Sequence, residues 1–331
     1  MLAFKAYKLG LRRISQARRY ILIVYLLNLA IAMALGLVLS ADIQDSLGNS
    51  LAAERLRNGF DDLWFQGFSG EAQGISKTFH PAVTGIGAIF EGLDAIVTGN
   101  FGRLQGTLGI ALIYGALWIY LSAGFIGMFY NGSFDGIFGQ HFFAEAGRHF
   151  MRFLMLTGIA VLLYWLILGA LLPVLNDFVA NRHRDTILEP LVFRDTVIKY
   201  SVIWLLILLI NHVFDYAKIL VVAHDVRKKD IWRVPLYAVY FMVKHPINIF
   251  TLFLMLGLTW LVLLLIYWLV APGAWQASWF TVLFAFLLGQ IYMVSRVAVR
   301  CLFFGSEIAL YYYQAVLPST EARQLPEKAT G

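Results

Sequence analysis

Charge is scarce in this chain: Asp, Glu, Lys and Arg make up only 14% of 331 residues, against about 25% in ordinary soluble domains. Hydrophobic residues make up 60%, more apolar surface than a fold of this size could hide from water. Cysteine is all but missing. Cys301 stands alone, which excludes an intrachain disulfide and a cysteine-rich zinc site and leaves no demand for an oxidising compartment. Nucleotide and hydrolase signatures are also absent. There is no phosphate-binding G-x-x-x-x-G-K-[ST], no dinucleotide glycine fingerprint, no G-x-S-x-G elbow and no H-E-x-x-H, so an ATP-driven pump or a common hydrolase is disfavoured and no cofactor is expected. An intramembrane enzyme with dispersed residues stays open.

What is present is six long apolar runs, at 20–40, 108–130, 153–175, 200–222, 247–270 and 279–304. Each approaches or exceeds the roughly 20 helical residues that cross a hydrocarbon core of about 30 Å. The expected fold is therefore all-α: a polytopic transmembrane helical bundle of about six spans, one membrane domain over residues 20–316, with interfacial amphipathic helices. The first run is longer than the apolar core of a signal peptide, usually about 7–15 residues, and so reads as a retained helix.

The basic residues are sorted between the segments that separate the runs. Residues 1–19 carry Lys5, Lys8, Arg12, Arg13, Arg18 and Arg19 among apolar residues, which suits an amphipathic helix on an anionic surface. Arg227, Lys228 and Lys229, followed by Arg233 and Lys244 with Leu236, Val239, Tyr240 and Val243 between them, form a second such stretch. Arg12, Arg13, Arg18, Arg19, Arg227, Lys228 and Lys229 are the candidate contacts for anionic lipid headgroups, and they serve equally as topology signals. With the N-terminus inside, 18 of the 26 lysines and arginines fall on the cytoplasmic side. Both termini, including the tail 317–331, are thus expected in the cytoplasm. The net charge of +6 could suggest nucleic acid, but its placement beside apolar runs points to membrane lipids. A protein partner within the membrane is also compatible with it.

Residues 41–106 form the longest and most acidic non-spanning stretch. Leu51, Leu56, Phe60, Leu63 and Trp64, and then Val83, Ile86, Ile89, Phe90 and Leu93, recur at helical spacing. This predicts two amphipathic helices on the extracytoplasmic face. An internal echo is also visible: Phe153-Leu-Met-Leu156 recurs as Phe253-Leu-Met-Leu256, preceded by Arg148-His149 and Lys244-His245. It suggests three hairpins, each entered by a cytoplasmic elbow helix.

Polar residues inside apolar runs are the candidate site. An ionised carboxylate deep in a spanning helix costs about 2.5–3.5 kcal/mol and normally faces a partner inside the bundle. Asp215 is the sharpest such residue, with Asn211, His212 and Lys218 on the same helix and Gln290, Arg296 and Arg300 on the sixth run. As a structural feature, Asp215 would pair with Arg296 and fix helix packing; as a functional one, it would relay a proton or ion or seat an anionic headgroup. His141, Glu145 and His149, spaced by four, would share a helix face able to hold a divalent metal, though such a face is more often simply wet. Tyr311, Tyr312 and Tyr313 fit an interfacial aromatic belt, and Glu307 sits among them.

Glu54-x-Leu56-x-x-Gly59-Phe60-Asp61-x-x-Trp64, Phe214-Asp215-Tyr216-Ala217-Lys218 followed by Asp225, His245-Pro246, Ala271-Pro272-Gly273, and Gly289-Gln290-x-Tyr292-x-x-x-Arg296 resemble a family of uncharacterised bacterial six-span integral membrane proteins. The resemblance covers most of the chain and implies a bacterial inner-membrane location; the family carries no known activity. Its members typically have arginine where this chain has Lys218, which keeps the charge and loses the bidentate fork. Three functions follow as expectations: a non-catalytic lipid- or protein-binding membrane component, a small transporter or lipid-moving protein using Asp215, Asn211 and Arg296, and a lipid-modifying enzyme built on the His141–His149 face.

Overall fold

The structure, a computed structural model, describes residues 2–48, 50–58, 60–73, 76, 79, 108–134, 139–184, 188–271 and 278–316. Among the described residues every regular element is helical and none is a strand. In chain order they are α1 (Leu2–Gln16), α2 (Arg18–Leu47), α3 (Ala52–Asn58), α4 (Asp62–Glu71), α5 (Leu108–Asn131), α6 (Gln140–Arg182), α7 (Glu189–Ala223), α8 (Val234–Lys244), α9 (Pro246–Val270) and α10 (Trp279–Tyr311). A 3₁₀ turn, Lys228–Arg233, leads into α8, and a π turn, Tyr312–Val316, extends α10. Six of the helices, α2, α5, α6, α7, α9 and α10, are long and apolar enough to cross a membrane.

The helices outrun the apolar runs at several ends. α2 continues past Ser40 through Asp42 and Asp45 to Leu47, where Gly48 takes φ +47° and donates its N–H to Gln44 O, a left-handed cap that suits a residue without Cβ. The first expected outer helix is present as α3 and α4; Asp61 caps α4 by accepting from the Trp64 N–H at 3.2 Å. The second, around Val83–Leu93, lies outside the described residues, as do Pro272, Gly273 and the tail from Ser319.

The expected elbows differ from one another. Lys244-His245 does end α8, because His245 precedes Pro246 and a residue before proline is pushed out of the helical region; His245 sits at φ −129°, ψ 47°. Arg148-His149 is followed by phenylalanine, and α6 runs straight through it. Farther along α6, Pro173 cannot donate to the carbonyl of Gly169 and its ring crowds that oxygen. One π turn, Leu166–Leu171, absorbs the mismatch, and the helix goes on to Arg182.

The chain divides into two compact units. The first holds Met1–Ile14, Ala116–Leu254 and Cys301–Gly331, and the second Ser15–Gly115 and Met255–Arg300. α5, which enters the first unit at Ala116, is the most enclosed of the six spanning helices. Its Gly124 and Gly127 face α6 so closely that a Cβ on either would meet Phe142 or Glu145 within 3 Å. Phe142 in turn stands edge-on to Phe125 at 5.0 Å. The small face of α1, Ala3, Ala6 and Gly10, is buried; a Cβ on Gly10 would collide with Ser306 of α10, and one on Gly305 would touch the Gly10 Cα. Lipid tails are as apolar as leucine, so such close backbone approach and van der Waals fit, rather than burial from water, favour helix contact here.

Candidate functional site

The site grows from one face of α7. His212, Asp215, Tyr216 and Ile219 recur at i, i+3, i+4 and i+7 and so share a side of the helix; Asp215, Tyr216 and Ile219 are fully or nearly fully buried. Asp215 Oδ1 accepts from Lys218 Nζ at 3.0 Å, one turn along the same helix. Asn211 points elsewhere and is exposed. Its amide donates to Ile207 O at 3.1 Å, and its oxygen accepts from the Tyr164 hydroxyl at 2.7 Å, which ties α6 to α7.

The residue that α10 brings to this face is Glu307. Its side chain has no exposed surface, and Oε1 lies 3.5 Å from His212 Nδ1. The sixth apolar run, 279–304, stops one turn short of it. The apolar string from Cys301 to Tyr313, broken only by Gly305, Ser306 and Glu307, was the available signal, and α10 runs to Tyr311 in one register with Glu307 inside. Tyr216 packs edge-on to His212, with ring centroids 5.2 Å apart, and against Phe241 of α8 at 5.4 Å. Its hydroxyl lies within electrostatic reach of both Glu307 and Asp215, yet has no hydrogen-bond partner among the described residues. Phe253 of α9 also packs on the His212 ring, tilted, at 5.0 Å.

Gln290, Arg296 and Arg300 belong to the second unit. There Gln290 Oε1 accepts from the Tyr25 hydroxyl at 2.9 Å, the Arg296 guanidinium stands 5.9 Å from the Tyr292 ring centre, and Tyr292 stacks on Tyr267 at 4.2 Å. Arg300 is half-buried a turn beyond Arg296.

A second polar group sits in the first unit. Asp225 follows α7 at φ +44° and receives hydrogen bonds from Arg152 and, at 3.2 Å, from Arg148 of α6. The bond from Arg152 above all holds its carboxyl below the ordinary 3.8; burial opposes it, and the charges of Arg152 and Arg148 add to the lowering. Glu145 Oε2 lies 3.2 Å from the Nε2 of buried His149. His141 is exposed and does not join them, and among the described residues no three His, Cys, Asp or Glu side chains converge to hold a metal.

Of the headgroup candidates, Arg12, Arg18, Arg19, Arg227, Lys228 and Lys229 are exposed. Arg13 turns inward instead. Its Nη1 donates to Gly305 O at 2.9 Å, and burial draws its pKa down to about 10, still protonated at neutral pH. The i, i+3, i+7 row of Ala3, Ala6 and Gly10 aims Arg13, three residues farther on, at α10.

Fold and site together define the class: an all-α protein whose six long apolar helices give it the architecture of a multi-pass membrane protein. No protein-family model, curated protein or solved structure matches this chain.

Proposed function

We propose that this protein is a non-catalytic, lipid-binding component of a bacterial inner membrane, with both termini in the cytoplasm, that gathers anionic headgroups on the surface formed by residues 227–244. One observation carries this reading. Arg227, Lys228, Lys229 and Arg233 are all exposed, and beside them Trp232, Leu236, Tyr237, Tyr240 and Val243 expose large apolar side chains while Ile231, Val234, Ala238 and Phe241 face inward. An apolar outer face edged with cations is the surface that lies in the headgroup region of an anionic leaflet.

Basic residues near such a surface contribute about 1 kcal/mol each. Thermal unfolding of the purified protein in neutral detergent, with added phosphatidylglycerol or phosphatidylcholine, tests the proposal. Phosphatidylglycerol should raise the midpoint more than phosphatidylcholine does, and replacing Arg227, Lys228, Lys229 and Arg233 together by Gln should erase the difference. Equal effects of the two lipids on the unsubstituted protein would contradict it.

A further inference from the structure

We propose that Glu307 and His212, with Tyr216 beside them, form a buried site that takes up and releases one proton. Nothing in the headgroup surface requires this, and it stands or falls separately from the lipid reading.

The starting observation is a carboxyl side chain with no exposed surface on a helix long and apolar enough to span a membrane. Ionisable groups in such places face a partner and mark ion or proton paths. A titratable group of α7 lies beside Glu307: His212 Nδ1 is 3.5 Å from Oε1. That separation is slightly longer than a hydrogen bond and closes to one with a small side-chain movement, so that one proton can pass directly between the two. A second, independent observation points to a ligand. The Tyr216 hydroxyl, on a side chain with 0% exposure, has no hydrogen-bond partner among the described residues although both carboxylates are near. A buried hydroxyl left this way is destabilising. The loss is offset when a proton or water enters the group.

The chemistry selects a proton over a metal ion. No three ligand-type side chains converge here among the described residues, and the Asp215 carboxylate is engaged by Lys218 at 3.0 Å. The His212 side chain keeps 11% of its surface while Glu307 keeps none. His212 is therefore the entry and Glu307 the store: the Nδ1–H bond of the imidazolium breaks, the Oε1–H bond of the carboxylic acid forms, and neutral imidazole remains with its one N–H on Nε2, so that the next proton is taken up at Nδ1. Titratable and charged groups near the pair include Asp215, Tyr216 and Lys218 on α7, Tyr311 on α10, Arg13 of α1, which donates to Gly305 O, and His245 at the end of α8; Tyr311 and His245 both lie tilted against the Phe241 ring that packs on Tyr216. The two members titrate as a unit, with apparent values belonging to the pair.

Infrared difference spectroscopy of the full chain in lipid nanodiscs, stepped in pH, reads the site directly. A protonated-carboxyl C=O band should appear and vanish with pH. It should be lost in Glu307→Gln and kept in Asp215→Asn. In His212→Gln its midpoint should shift by tenfold or more in proton concentration. Helical content by circular dichroism accompanies each variant. Should Glu307→Gln fail to fold, pH-jump proton uptake by the unsubstituted protein and by His212→Gln decides the matter alone. Differing uptake curves support the site. A band absent from the unsubstituted protein, surviving in Glu307→Gln, vanishing in Asp215→Asn or unmoved in His212→Gln overturns it, and so do identical uptake curves.

Discussion

At the residue scale, two carboxylates carry different consequences. Asp215 is buried and bonded to Lys218 at 3.0 Å, and a hydrogen bond to a charged group contributes about 1.5–3 kcal/mol. Asp215→Asn should therefore lower stability by about that amount in a detergent unfolding titration, whereas Lys218→Arg, which keeps the charge, should cost much less; equal losses would show that the pair is not what holds the two groups. Asp225 is exposed, and its effect is read in pH. Its folded pKa lies below the unfolded value, so its contribution is full above about pH 4, where the unfolded carboxyl is ionised, and is lost as pH falls through the folded value. Asn tolerates the left-handed backbone that Asp225 occupies. Asp225→Asn should thus flatten the acid side of the stability profile without straining the turn, and an unchanged slope would refute the assignment. Asp215 was visible in the sequence because a charge interrupts an apolar run. Glu307 was harder to place, because three tyrosines beside it read as a boundary, and only the three-dimensional register puts it against His212.

At the scale of elements, helix identity was legible and helix relationships were not. Apolar length alone locates all six spanning helices, since nothing but a hydrogen-bonded helix satisfies the backbone across so many residues of hydrocarbon. The break before Pro246 and the π turn before Pro173 follow from proline's missing N–H and its crowding of neighbouring backbone. The inward face of α1 is not legible in the sequence because Ala3, Ala6 and Gly10 carry almost no hydropathy signal; what they carry is smallness. Gly10→Ala should place a methyl against Ser306 and destabilise by about 1–3 kcal/mol, the usual range for overpacking. Ser306→Gly in the same chain should restore most of the loss, a coupling a double-mutant cycle measures. Additive losses would mean that α1 and α10 do not meet at this pair.

At the scale of the whole molecule, the outer surface decides the solvent. Leu22, Leu26, Met33 and Leu37 along α2, and Leu254, Leu258, Leu261, Leu265 and Leu269 along α9, are all exposed. Stripes of this length would drive aggregation in water and are ordinary against lipid. Six crossings also impose a parity: whatever the first segment faces, the last must face too. Reporter fusions along the chain measure it. Fusions ahead of Met1, after Gly132 and after Gly331 should all report the cytoplasm, and fusions after Ser50 and after His183 the opposite side. Termini on opposite sides, or export of the fusion after Gly331, would contradict the six-span arrangement on which the headgroup surface and the buried proton site both rest.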